Sequence, residues 1–133
     1  MNSNRSMPPG VIIPELPYPD VREAVDWLCH NFGFVERLRI QNHRAQLVSD
    51  EGSIIVTQGR DANPSCAVMV RVEDVSAHFE RVNRSGALIL NPLADYPYGE
   101  RQFTVEDPGG HRWTFSQTIA DIDPKTWGGL LFE

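Results

Sequence analysis

At 133 residues, 41% apolar and 23% charged, the chain has the size and balance of one globular domain that buries a core without staples. A formal net charge of −6 argues against nucleic acid or an anionic membrane as partner. Two cysteines, Cys29 and Cys66, make neither a disulfide framework nor a thiolate zinc site.

The opening MNSNRSMPPG is polar, carries two prolines and reads as a loose arm. It lacks the apolar core of a signal peptide, and no apolar run approaches a membrane span. The expectation is a cytoplasmic protein with free thiols. Val11-Ile12-Ile13 opens a short strand running to Leu16; Pro14 and Pro17 restrict its ladder and place it at an edge or seam. Asp20 suits an N-cap, with Glu23 three residues on, and Val21, Ala24, Val25, Trp27 and Leu28 give the helix its apolar side. Gly33 ends that helix in the left-handed region. Strands follow at 35–40, 44–48 and 53–58, with a turn at Asp50-Glu51-Gly52.

Gly59 to Ser65 reads as a linker. Then the order repeats. A strand spans 66–72, a helix starts at Asp74 or Ser76 and stops at Ser85-Gly86, and a short strand covers 87–90. Asn91 to Glu100, with Pro92 and Pro97, reads as a long turn. A closing hairpin joins Gln102–Val105 to His111–Ser116 through Asp107-Pro108-Gly109-Gly110, where proline fixes φ and glycine permits positive φ. Residues 121–133 form an apolar tail whose Trp127, Leu130, Leu131 and Phe132 call for a docking surface on a helix, a partner subunit or a cavity mouth.

Tyr98 to Gln117, YGERQFTVEDPGGHRWTFSQ, carries a resemblance. A strand ending in Glu106-Asp107-Pro108, then Gly110-His111 and an alternating strand, resembles the last hairpin of the vicinal oxygen chelate superfamily. That group includes glyoxalase I, extradiol dioxygenases, fosfomycin-resistance proteins and bleomycin-binding proteins. The likeness runs from about Val11 to Gln117. It implies an α+β fold of two tandem βαβββ modules, about 11–58 and 66–117, within a domain of residues 1–120. Their sheets would form a curved, partly closed barrel around a cavity, and a homodimer is the implied assembly.

Metal-dependent members carry ligands near the start of each module's first strand and on each last strand. Strand matching puts Ile13, Val56, Ala67 and Thr114 there. None is a competent ligand except, weakly, Thr114, so no metal or other cofactor is expected. His30, His43, His78 and His111 fall on separate elements and read as solvated or capping residues. Alternation from the four positions lines the cavity with Glu15 and Pro17, Met69 and Arg71, Ile54 and Gln58, and Arg112 and Ser116. The candidate ligand-binding set is Glu15, Gln58, Arg71, Tyr98, Arg112 and Thr114. The two arginines suit an anionic or carboxylate ligand, against an even chance that they serve salt bridges, for example to Glu15 or Glu73. Tyr96 and Tyr98 suit stacking. No nucleophile elbow, P-loop or dinucleotide glycine pattern is present, and no catalytic residue is assigned. The resemblance implies a metal-independent binder of a small molecule, sequestering a drug or metabolite. Its alternative is a lyase, isomerase or dioxygenase using Glu15 as base or a metal at other ligands.

Overall fold

A computed structural model describes residues 4–60, 62–63 and 65–132. The fold is α+β. Its elements are β1 (Glu15–Tyr18), α1 (Val21–Phe32), β2 (Val35–Ile40), β3 (Arg44–Ser49), β4 (Gly52–Gln58), β5 (Ala67–Arg71), α2 (Val75–Arg84), β6 (Leu88–Tyr96), β7 (Glu100–Glu106) and β8 (Arg112–Thr118). A 3₁₀ turn, Pro124–Trp127, follows. The strand–helix–three-strand order thus occurs twice. The sheets run β1-β4-β3-β2 and β5-β8-β7-β6, each with a parallel first pair and antiparallel remainder. Each sheet is open, with two edges, and does not close into a barrel.

Two compact units result, Met1–Asn63 with Pro108–His111, and Pro64–Asp107 with Arg112–Glu133. In the first, α1 is capped by the Asp20 carboxylate, which accepts from the Glu23 N–H at 3.0 Å. Gly33, at φ 80°, ends it. Val21, Val25, Leu28 and Phe32 recur at helical spacing and are buried. Leu47, Ala45, Ile54 and Val56, on the sheet side that packs on α1, are at most 4% exposed. The other side of this sheet, its open face, carries Gln46, Ser53, Ile55 and Thr57. The turn Pro108–His111 belongs to this unit: His111 Nε2 lies 2.6 Å from the Pro17 carbonyl oxygen, and its ring lies 4.6 Å from that of Tyr18.

In the second unit Asp74 caps α2 by accepting from the Ala77 N–H at 3.1 Å. The Gln117 side-chain oxygen takes the N–H of Val75, another donor that the helix itself cannot satisfy. Phe79 and His78 pack on Phe103 and Phe115, which stack on each other at 5.3 Å. Trp113 is fully buried and donates through Nε1 to Asp107 Oδ2 at 2.9 Å. The expected turn at Asp107-Pro108-Gly109-Gly110 is present, with Gly110 at φ 88°.

Four expectations are corrected. The first strand starts at Glu15, not Val11; Val11 and Ile12 are 92% and 84% exposed. Pro17 is tolerated because β1 is an edge. Residues 91–96 are strand rather than turn: β6 continues through Pro92 because it too is an edge and carries two register shifts. The opening arm, from Asn4 on, is docked rather than loose; Met1–Ser3 lie outside the described residues. Val56 packs on the helix side of its sheet, so the alternation drawn from it was out by one residue. Asp61 and Pro64 of the expected linker, and Glu133 of the tail, are also outside the described residues.

Candidate functional site

The second sheet's open face, opposite α2, is built from residues two apart on each strand. Register aligns Ala67, Arg112 and Glu106; Met69, Thr114 and Thr104; and Arg71, Ser116 and Gln102. Strands about 4.8 Å apart and rising about 3.3 Å per residue make this face about 14 Å by 20 Å.

A chain of hydrogen bonds crosses it. Tyr98 Oη donates to Gln102 Oε1 at 2.9 Å; Gln102 Nε2 donates to Ser116 Oγ at 3.0 Å; Ser116 Oγ donates to Glu100 Oε1 at 2.6 Å. Arg71 Nη1 donates to Thr118 Oγ1 at 3.2 Å. Thr104 and Thr114 share a hydroxyl bond of 2.9 Å. Burial pushes the Glu100 carboxyl up, but the Ser116 and Thr118 hydroxyls and the Arg71 charge outweigh it and leave it below the usual range. Glu100 is therefore a fixed anion at neutral pH. Burial, with the nearby Tyr96 and Glu100, raises the Tyr98 phenol, which stays protonated as a donor.

One end of the face is aromatic. Tyr96 stacks on Tyr98 at 5.6 Å, and Trp127 meets Tyr98 edge-on at 5.6 Å. Gly99, at φ 87°, makes this possible: a Cβ there would strike the Ala120 carbonyl oxygen, so the tail can lie against the hairpin and deliver Trp127. The far end holds Arg112, whose Nε is buried with no hydrogen-bond partner among the described residues.

Three of the six expected site residues, Arg71, Arg112 and Thr114, thus share one face of the second sheet, and a fourth, Tyr98, sits in the turn between β6 and β7 at its end. The other two lie in the first unit. Glu15 accepts from Arg44 Nη2 at 2.6 Å with its side chain 55% exposed, a paired carboxylate at a sheet edge. Gln58 pairs with Tyr18, on the side of the sheet away from Glu15. Sequence reasoning left Gln102 and Thr104 out of the site; their alternation in Gln102-Phe103-Thr104 was the available signal.

The four matched positions do not make a divalent-ion site: Ile13 and Ala67 offer no donor atom, Val56 offers none and faces the helix side, and Thr114 is engaged with Thr104. Among the described residues no three His, Cys, Asp or Glu side chains gather as a metal-holding group.

Comparison with known proteins agrees with this architecture. The model of the Glyoxalase/Bleomycin resistance protein/Dioxygenase superfamily matches residues 12–115. TioX from Micromonospora sp. ML1 is 38% identical, over 83% of this chain and 99% of that one, with a TM-score of 0.72. The fosfomycin resistance protein FosX from Listeria monocytogenes shares the fold at 16% identity, over 84% of this chain and 94% of its own, with a TM-score of 0.69. An uncharacterised protein of Mycobacterium bovis is 25% identical over 128 residues, 83% of this chain and 84% of that protein.

Proposed function

We propose that this chain, which belongs to the glyoxalase/bleomycin resistance protein/dioxygenase superfamily, is a metal-independent small-molecule-binding protein whose ligand lies on the open face of the second sheet. The observation that carries this reading is the polarity of that face. A buried, unsatisfied Arg112 Nε stands at one end and the Tyr96–Tyr98–Trp127 cluster at the other, with a hydrogen-bonded polar strip between. A ligand with an anionic group and a flat ring meets both ends: guanidinium takes the anion, and the aromatic edge takes the ring. Nothing in the strip resembles a poised base. Glu100 is held ionised by hydroxyl donors, and Glu15 is paired with Arg44. The role is sequestration rather than turnover.

A homodimer in the cytoplasm belongs to the same reading. The exposed Leu130, Leu131 and Phe132 support a second copy, and the free Cys29 and Cys66 suit a reducing compartment.

The test is a titration of the full chain in EDTA against 12-(1-pyrenyl)dodecanoate, whose long chain lets its carboxylate and its ring reach opposite ends of the face, read by tryptophan fluorescence with Trp127→Phe as control. Binding is expected. Arg112→Ala should weaken it about tenfold, the worth of one charge-assisted hydrogen bond. Tyr98→Ala should weaken it by a similar factor, about tenfold. Binding that appears only after a divalent ion is added would overturn the reading.

A further inference from the structure

The aromatic end of the second sheet's open face also carries a fixed negative charge. Glu100 opens β7, and the register sets it opposite Tyr96 on β6 and Thr118 on β8, so the three side chains share that face. Its Oε1 accepts from Ser116 Oγ at 2.6 Å, and its carboxyl, held below the usual range, stays ionised at neutral pH. Glu15, Glu36 and Asp95 each hold an arginine as ion-pair partner, but Glu100 makes no ion pair among the described residues. Arg71, whose charge reaches it, donates instead to Thr118 Oγ1 at 3.2 Å.

The rings at this end suit a cation as well. Tyr96 and Tyr98 stack with their planes 17° apart, and Trp127, 45% exposed, meets Tyr98 edge-on. Aromatic faces carry the negative part of the ring quadrupole and attract positive charge. The Glu100 charge helps to raise the Tyr98 phenol, so carboxylate and rings belong to one site. A neutral ring laid here would take Glu100 out of water and give it no countercharge, a cost left uncompensated. A positively charged ring meets the aromatic faces and the carboxylate together.

Building on the reading of this face as the ligand site, we propose that its aromatic end is a cation subsite. Glu100 supplies the countercharge, and Tyr96, Tyr98 and Trp127 supply the ring contacts. The ligand is then zwitterionic, with its anion at Arg112 and a positively charged nitrogen ring, such as a pyridinium, at Glu100.

Two matched probes test this by calorimetry on the full chain in EDTA, at concentrations below micelle formation. They are N-(11-carboxyundecyl)-4-phenylpyridinium and 12-(biphenyl-4-yl)dodecanoate. The two share carboxylate, chain length and two-ring shape, and differ in one ring atom and its positive charge. Wild type should bind the pyridinium at least about tenfold more tightly, the joint effect of a cation–π contact and a partly exposed ion pair. Glu100→Gln keeps an oxygen to accept from Ser116 and should shrink that ratio at least about threefold. The variant should bind the biphenyl probe as tightly as wild type or more tightly, because an amide costs less to cover than a carboxylate. If Glu100→Gln does not fold, about 0.5 M NaCl takes its place and should shrink the wild-type ratio by a similar factor. Equal affinities in wild type would overturn the cation subsite and leave the face as a ligand site. So would a ratio that neither the folded variant nor salt reduces, or a folded variant that weakens both probes alike. Failure of both probes to bind wild type would overturn the ligand face itself, and the subsite with it.

Discussion

At the scale of single residues, two buried polar groups carry distinct consequences. Asp107, 3% exposed, accepts from the indole N–H of Trp113 at 2.9 Å. Asp107→Ala strands that donor, and urea denaturation should show a loss of about 1–3 kcal/mol. His78 packs against the stacked Phe103 and Phe115, and burial, aided by the Arg81 charge, lowers its pKa to about 4. The unfolded imidazole takes its proton near its ordinary 6.5, the folded one only near 4. Stability therefore falls as pH drops from 6.5 towards 4, and His78→Leu should flatten that part of the profile. Glu36 acts in a lower window. Hydrogen bonding from Arg39 and Arg22, against an opposing effect of burial, holds its carboxyl at about 2, so its contribution is complete above about 4.5 and lost as pH falls towards 2. Denaturation midpoints of wild type and His78→Leu across pH 2–8 separate the two windows.

At the scale of elements, what could be read from sequence was what local chemistry decides. Asp20, Gly33 and Asp74 announce helix ends because a side-chain oxygen or a missing Cβ acts within four residues. The Asp107–Gly110 turn was legible for the same reason. Replacing Asp20 or Asp74 by Ala should each cost about 1 kcal/mol by thermal or urea melts. What sequence did not disclose was decided by partners distant in the chain. Apolar Val11 and Ile12 look like strand, yet β4 pairs with Glu15–Tyr18 instead. Pro92 looks like a breaker, yet an edge strand with register shifts absorbs it. The one-residue error at Val56 followed, because period-two alternation carries any misplaced anchor to the wrong face. That error is why Gln58 was grouped with Glu15. On the second sheet Ala67 and Thr114 lie on the open face, and the same register puts Arg71 and Arg112 on it.

At the scale of the whole molecule, duplication gives two sheets of the same plan with different open faces. One is roofed by residues 5–9; the other presents a polar strip with an aromatic end. The family match and the 38% identity to TioX over most of both chains fix the fold and the superfamily. They leave the ligand to the site, since one scaffold hosts many chemistries. The chain after β8 packs on the hairpin at Gly99, whose carbonyl accepts from the N–H groups of Ile119 and Ala120. Gly99→Ala would put a Cβ against the Ala120 carbonyl and strain a positive φ. Trp127 should then become more accessible to acrylamide quenching, and ligand affinity should fall.

The proposed function requires binding without a metal. The decisive measurement is the metal content of the purified chain, paired with its thermal shift against Ni²⁺, Zn²⁺, Mn²⁺ and Fe²⁺. A metal that binds the folded state alone must raise the melting temperature. No stoichiometric metal and no shift are expected. About one equivalent of bound ion per chain, with a raised melting temperature, would contradict metal-independent binding.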